Sequence, residues 1–361
     1  MTKLTTDEKL ELLKEVGEEI ITDDDLMDLL KNKKEIIAYD GFEPSGQVHI
    51  AQGLLRSINI NKITSCGIKF KILVADYFAM LNNKMGGDLD KIQTVGKYCI
   101  EVWKSCGMNL DNVEFVWASE FYANNSKYWE TVMHLAMNST VTRVLRCSQI
   151  MGREDGSNAK ASQILYTLMQ AADIIHLNAD IAQLGLDQRK VNMFARDVFP
   201  KLGLKKPVAI HHHMLLGLQF QESDLSGVNR KIAMKMSKSK PDTAIFMTDS
   251  VDDVNRKFKK ATCVDGVAQD NPVLEYAKYI VFELKEKIVV ERPEKYGGNV
   301  EFNSYQELED AFSNGTLKSI DLKSGVASAI NELLEPIREH FDKDENAKAL
   351  LEKVKSFQVT R

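Results

Sequence analysis

Short apolar runs alternate with helix-forming stretches through the first half of this chain, and that alternation leaves few architectures open. Strand-like runs at residues 35–39, Phe70–Asp76 and Val113–Trp117 are separated by helical segments over about 48–65 and from Asp88 to about Cys106. A second set follows: a helix from Ala159 that turns Ile164, Leu165, Leu168 and Met169 toward a core, the run Ile181–Leu186, a helix from Asp187, and Val208–His211. Parallel neighbours need a crossover long enough to hold a helix, so this pattern predicts a parallel sheet. The expected fold class is α/β, with an open Rossmann-like sheet whose ligands sit beyond the carboxyl ends of the strands.

The turn from the first strand into its helix, Tyr39-Asp-Gly-Phe-Glu-Pro-Ser-Gly-Gln-Val-His-Ile-Ala-Gln-Gly53, carries the first chemical signal. Gly41, Pro44 and Gly46 let backbone come close to a ligand, and a helix start near Val48 offers unpaired N–H groups and a positive dipole end to a phosphate. His49 falls in that first turn. Such turns also occur in α/β proteins that bind no nucleotide, so the element needs a partner. One lies far downstream in Lys235-Met236-Ser237-Lys238-Ser239, a lysine and serine loop able to reach the other side of the same phosphate. A third element is the set Tyr166, Gln170 and Asp173, extended by Gln163, whose spacing puts it on one helical face. That face is either solvent-exposed or a pocket floor. In the second case Tyr166 and Gln170 hold an ammonium group, Asp173 accepts a hydrogen bond from a hydroxyl, and Gln188 joins them from the next helix.

With 361 residues and 44% hydrophobic content, the chain can bury a sizeable core in two or three domains. A formal charge of -5 gives no global pull toward nucleic acid. Two local basic runs are the places where RNA would be met, unless they are merely solvated faces: Arg230, Lys231, Lys235, Lys238 and Lys240, then Arg256, Lys257, Lys259 and Lys260. The 5 cysteines show no Cys-x-x-Cys spacing and are expected to be reduced and structural. His211, His212 and His213 are consecutive on a strand-like run, where neighbours point to opposite faces, which argues against one shared ion; no tightly bound metal is expected. An acidic start without an apolar run, and no stretch of membrane-spanning length, predict a cytoplasmic protein without membrane attachment. Residues 6–31 read as two short helices capped by Thr6 and Thr22. After Phe246 the pattern turns helical, including Pro272–Leu284 and Lys323–Phe341. The expected division is 1–245, an N-terminal helical extension plus the catalytic domain with a helical insertion at about 100–160, followed by an all-helical domain at 246–361.

These motifs resemble the paired signatures of class I aminoacyl-tRNA synthetases, in which a His-Ile-Gly-His element opens the first helix and a Lys-Met-Ser-Lys-Ser loop closes over ATP. The loop at 235–239 matches at every position. The first element reads His49-Ile50-Ala51-Gln52, and Gln52 can donate a hydrogen bond but carries no charge. Within the class the chain is similar to the tyrosyl branch of eukaryotic and archaeal type. That branch has a tyrosine at the end of the first strand and a Tyr-x-x-x-Gln-x-x-Asp helix, matched by Tyr39 and by Tyr166, Gln170 and Asp173. Leu186-Asp-Gln-Arg-Lys190, Asn82–Gly87 and Val208–Gly217 follow the same branch.

The resemblance implies phenol ligands Tyr39 and Asp173 and ammonium ligands Tyr166, Gln170 and Gln188. It implies ATP contacts from Gly41, His49, Gln52, Lys235, Met236, Ser237, Lys238 and Ser239, of which His49, Gln52, Lys235 and Lys238 would be catalytic. ATP would arrive with Mg²⁺. The implied partners are L-tyrosine, tRNA(Tyr), met at its anticodon by the helical C-terminal domain, and a second copy of the chain. The homodimer would form through the insertion, with Trp103, Phe115, Trp117 and the Tyr128–Arg146 helix supplying the apolar surface. Three other readings compete: a tryptophanyl enzyme, whose indole N–H Asp173 could also accept, a catalytically silent RNA-binding or signalling relative, and a small-molecule nucleotidyltransferase, which would leave the C-terminal helices unexplained.

Overall fold

In the computed structural model, which describes residues 4–147, 160–219, 234, 236 and 241–357, the central sheet has six strands. These are β1 (Glu19–Ile21), β2 (Ile37–Phe42), β3 (Lys69–Val74), β4 (Val113–Trp117), β5 (Ile181–Gly185) and β6 (Val208–His212), in the spatial order β1-β6-β5-β2-β3-β4. The inner strands are apolar and largely buried along their length, as parallel strands covered on both faces must be. All neighbours run parallel except β1, which pairs antiparallel with β6. From β2 the chain proceeds outward through β3 and β4, and from β5 it proceeds outward the other way through β6. The order therefore reverses between β2 and β5, and the crevice above their carboxyl ends is where such a sheet takes a ligand.

Helix α1 (Thr6–Val16) precedes β1, and α2 (Asp23–Asn32) connects β1 to β2. Thr22 caps α2 as expected, its hydroxyl accepting from Asp25 N–H at 3.1 Å. For α1 the cap is Thr5 and not Thr6: the Thr5 N–H donates to Glu8 at 2.7 Å and its hydroxyl accepts from Glu8 N–H at 3.3 Å. Glu8 lies three residues after Thr5, the spacing a reciprocal cap requires. Strand β1 escapes the sequence reading because three residues are too few to show a period.

Helix α3 (Arg56–Ser65) connects β2 to β3, and α4 (Asp76–Leu81) and α5 (Leu89–Ser105) connect β3 to β4. Because α5 and β4 complete a regular crossover, the excursion from the sheet begins at Ala118 rather than near residue 100. It contains α6 (Ala118–Ala123), α7 (Tyr128–Met137) and α8 (Val141–Cys147). The aromatic patch expected there is largely internal. Trp103 is fully buried and stacks on Phe115 at 5.8 Å, while Trp117 lies over Gly96, where a Cβ would strike its ring. Buried Asp76 joins β3 to α5 and α6, accepting from the Tyr77 and Ser119 amides, each at 2.9 Å, and from Gln93 at 3.1 Å.

Helix α9 (Ala161–His176) and α10 (Arg189–Val198) flank β5. Leu168 and Met169 of α9 are buried as expected, but Leu165 is exposed. Beyond Phe246 the chain is mostly helical, with its longest helix at Ser319–Lys343. The structure adds an antiparallel ribbon of Ile288–Val290 on Val300–Phe302, again with strands too short to read from sequence.

Candidate active site

Above β2 the backbone turns through Gly46, whose φ of 115° suits glycine, and enters a π-helical turn, Ala51–Leu55, that runs into α3. Such turns occur often at functional sites. The His49 carbonyl accepts the Gln52 and Gly53 amides at 2.8 and 3.0 Å. Alongside runs Ile245–Met247: Ile50 N–H donates to the Ile245 carbonyl at 2.8 Å and Met247 N–H to the Val48 carbonyl at 2.9 Å. Gly53 makes this close approach possible, since a Cβ there would collide with the Met247 side chain. The segment that follows the lysine and serine loop is thus laced to the histidine element some two hundred residues earlier.

The loop's described residues are anchored as well. Gly217 N–H donates to the Met234 carbonyl at 2.8 Å, and buried Met236 places its sulfur 3.2 Å from the Tyr276 hydroxyl. The Met236 side chain therefore packs inward. Lys235, Ser237, Lys238 and Ser239 lie outside the described residues, as do Arg230, Lys231 and Lys240. Gln52 has a buried Oε1 without a partner among the described residues, and its carbonyl accepts the Trp103 indole N–H at 2.8 Å. Where a Cβ would stand on Gly41 the space is open.

The crevice floor is built by β2 and α9. Gln163, Gln170 and Asp173 are buried and Tyr166 half-buried, which removes the solvent-facing alternative for this stripe. Asp173 Oδ1 accepts from the hydroxyls of Tyr122 and Tyr128, both at 2.8 Å, and those two rings stack 4.0 Å apart. Its Oδ2 is buried without a partner among the described residues. Burial pushes the Asp173 carboxyl up to about 7, although the two phenols pull the other way. Tyr39 is buried too, its hydroxyl without a hydrogen-bond partner among the described residues, and burial followed by the charge of Asp173 holds that phenol neutral, well above its ordinary range. Tyr122 and Tyr128 lie in the polar excursion, where sequence gave no signal that both would point at one carboxylate.

Toward the open end, Gln170 Nε2 donates to Gln188 Oε1 at 3.1 Å, and Gln188 sits in the 3₁₀ turn directly after β5. The Tyr166 hydroxyl donates to Glu43 at 3.1 Å, and the Asn82 amide reaches the same carboxylate at 3.2 Å. Glu43, which also pairs with Lys84 at 3.8 Å, therefore brings a carboxylate to the residues expected to hold an ammonium group. Its position inside the 39–53 turn was the available signal. Beside it Asp40 forms a buried ion pair with Arg56, whose guanidinium lies over the rings of Phe42 and Trp103 at 5.1 and 5.7 Å. Burial pushes the Asp40 carboxyl up to about 6 despite Arg56.

The three histidines turn to separate partners. His211 meets Glu19 at 2.8 Å and Asn192 at 3.0 Å, His212 meets Gln183 at 2.6 Å, and His213 lies between Glu18 and Glu275. One expected RNA contact is withdrawn. Lys257 is buried, donating to the Ala244 carbonyl at 2.9 Å and to Asp249 at 2.6 Å, because its aliphatic stem packs inward with the apolar face of its helix. Arg256 stays at the surface, paired with Asp242 at 2.7 Å.

Residues 31–335 match the family model described as tRNA synthetases class I (W and Y). Over 357 residues the chain is 47% identical to tyrosine-tRNA ligase 1, cytoplasmic, of Arabidopsis thaliana, covering 98% of this chain and 90% of that protein. It is 49% identical to tyrosine-tRNA ligase 2, cytoplasmic, of the same organism, but spans only 46% of that longer relative. The crystal structure of tyrosyl-tRNA synthetase complexed with L-tyrosine from Pyrococcus horikoshii superposes with a TM-score of 0.90 at 36% identity, covering 97% of this chain and 100% of that one.

Proposed function

The chain belongs to the class I tRNA synthetases of the tryptophan and tyrosine group, and from that premise we propose that it is a cytoplasmic tyrosine-tRNA ligase of eukaryotic and archaeal type. It activates L-tyrosine with ATP and passes the tyrosyl group to the 3′ end of tRNA(Tyr). The observation that carries the choice of amino acid is that, among the described residues, neither Oδ2 of Asp173 nor the Tyr39 hydroxyl in the same pocket has a hydrogen-bond partner. A substrate phenol answers both, donating to the carboxylate and accepting from Tyr39. Phenylalanine would leave both groups unpaired, at a cost of roughly 1–3 kcal/mol each. An indole N–H could donate to Asp173, yet indole has no acceptor for Tyr39.

In this assignment the ammonium group rests against Tyr166, Gln170 and Gln188, with Glu43 adding opposite charge. The substrate carboxylate is already ionised and needs no general base. One of its oxygens attacks the α-phosphorus of Mg²⁺-bound ATP, the bond to the bridging oxygen breaks, and pyrophosphate leaves with that electron pair. Catalysis is then positioning and stabilisation of phosphate charge, the tasks of His49, Gln52, Lys235 and Lys238, with the Ser237 and Ser239 hydroxyls and the open backbone face of Gly41 beside the nucleotide. A terminal ribose hydroxyl of tRNA next attacks the acyl carbon and AMP departs. Exchange of labelled pyrophosphate into ATP tests the reading: tyrosine supports it, tryptophan and phenylalanine do not. Exchange with tryptophan alone, or none with any amino acid, overturns it.

The same reading includes a homodimer through the excursion. Trp129, Met133, Met137 and Val141 are 45%, 60%, 79% and 61% exposed, and the first three recur every fourth residue on one face of α7. An apolar stripe of this kind is rarely left open to water, and a twofold copy covers it without leaving further ends. The double variant Met133→Glu, Met137→Glu is expected to sediment as a 40.8 kDa monomer while the unaltered chain sediments at twice that mass. A monomeric unaltered chain at micromolar concentration would contradict the dimer.

A further inference from the structure

His213 follows β6, away from the crevice floor, and its ring lies mostly buried, stacked on Tyr279 at 4.2 Å. Nδ1 is 3.0 Å from Glu18, in the segment between α1 and β1, and Nε2 is 3.2 Å from Glu275 Oε2, in the helix Pro272–Tyr276. The same Glu275 oxygen accepts the Leu216 amide at 2.9 Å. The next two residues hold the chain on either side of the lysine and serine loop: Gly217 N–H donates to the Met234 carbonyl at 2.8 Å and Leu218 N–H to the Thr243 carbonyl at 2.9 Å. Three consecutive residues thus form a strap that fixes both flanks of residues 235–239, and one carboxylate fixes the strap.

We propose that His213 is a positioning residue for adenylate formation: its positive charge pins Glu275, Glu275 pins Leu216, and the strap then holds the loop flanks in register for ATP. This rests on the ligase reading above. A neutral imidazole has one N–H, which the Nδ1 bond to Glu18 takes up, whereas the imidazolium also sets positive charge at Nε2 against Glu275 at 3.2 Å, an ion pair rather than an aligned hydrogen bond. Burial alone would push the ring down, but the two carboxylates beside it, Glu18 and Glu275, outweigh it and bring it up to about 9. The other groups around it do not compete for this role. Glu19 is engaged by Arg189 and His211. Burial drives His212 down to about 3 and raises Tyr279 to about 12, so both stay neutral at working pH. Lys278 lies over the rings of Tyr279 and Tyr305.

The test compares His213→Gln with His213→Lys in the full chain, by pyrophosphate exchange at varied ATP, by tyrosine affinity, and by amide hydrogen exchange across residues 214–219. The neutral variant is expected to lose about tenfold in kcat/KM for ATP, with tyrosine affinity unchanged and strap amides exchanging faster. The lysine variant is expected to recover most of both. The unaltered chain should lose kcat/KM for ATP as pH rises through about 9, and the lysine variant should not. Wild-type ATP kinetics in His213→Gln, equal tyrosine weakening, or a lysine variant no better than glutamine would each overturn the proposal. Hydrogen exchange keeps the two readings separable. If the chain showed no tyrosine-dependent exchange, unchanged strap protection in His213→Gln would still sink the role of His213, and faster exchange restored by lysine would uphold its hold on the strap.

Discussion

Asp173→Ala is expected to lower kcat/KM for tyrosine in pyrophosphate exchange by about 100- to 1,000-fold and to narrow the preference for tyrosine over phenylalanine. Removing the carboxylate deletes the acceptor proposed for the substrate phenol and takes Oδ1 from the Tyr122 and Tyr128 hydroxyls, leaving Tyr128 the Met169 carbonyl at 3.1 Å. Two or three charged hydrogen bonds at this depth account for the size of the loss. Recognition of tyrosine against phenylalanine by its own synthetase is the reference case for this kind of discrimination, so only the direction of narrowing is predicted here. A mutant that keeps full discrimination would mean the phenol is read elsewhere.

The same carboxylate gives the site a pH dependence. Its value of about 7 in the fold lies above the ordinary 3.8, so the native state keeps a proton that the unfolded chain has lost. Its contribution to stability is therefore complete below about pH 4 and is lost as pH rises through about 7. Tyrosine acts in the opposite sense, because a phenol donating to Oδ2 favours the ionised form. Binding should tighten as pH rises through about 7 and release a proton near pH 6, which calorimetry in buffers of different ionisation enthalpy would detect. A dissociation constant and proton count flat across that window would contradict the assignment of Oδ2.

Much of this was legible in the sequence because it rests on period and local spacing. The strands β2, β3, β5 and β6 are apolar runs between helical patterns, and Gln163, Tyr166, Gln170 and Asp173 fall on one face by helical geometry alone. Whether that face meets solvent or a pocket is a tertiary fact, decided by the packing of α9 against α7 and the sheet. Tyr122 and Tyr128 approach Asp173 from 51 and 45 residues away, and no local rule links them. Lys257 misleads for a related reason. In sequence it belongs to a basic run, but a helix of nine residues turns one of its lysines inward, where a carbonyl and Asp249 neutralise it. Of the aromatic residues assigned to the dimer surface, Trp103 is buried against Phe115 of β4 for the same reason, and the exposed stripe is made by Trp129, Met133 and Met137 of α7, within the Tyr128–Arg146 stretch.

Lys238→Ala is expected to slow adenylate formation by about 100- to 1,000-fold while leaving the tyrosine dissociation constant within about twofold. In the proposed reading tyrosine affinity is set on the floor, by Tyr39, Tyr166, Gln170 and Asp173, apart from the loop. The chain after the loop is held against the histidine element by the Ile50–Ile245 and Met247–Val48 bonds, and the chain before it by Gly217. On the proposed reading, the cations of that loop serve the nucleotide and not the amino acid. Negative charge grows on the departing pyrophosphate as the bond to the α-phosphorus breaks, so a lysine there stabilises the transition state more than bound ATP, which lowers kcat when it is removed. Arginine at 238 should restore part of the rate because it keeps the charge, though not the reach and flexibility of an ammonium group. Pre-steady-state mixing with tyrosine and ATP separates the two quantities. A mutant that forms adenylate at the normal rate and instead binds tyrosine weakly would place Lys238 on the amino acid and refute this division between floor and loop.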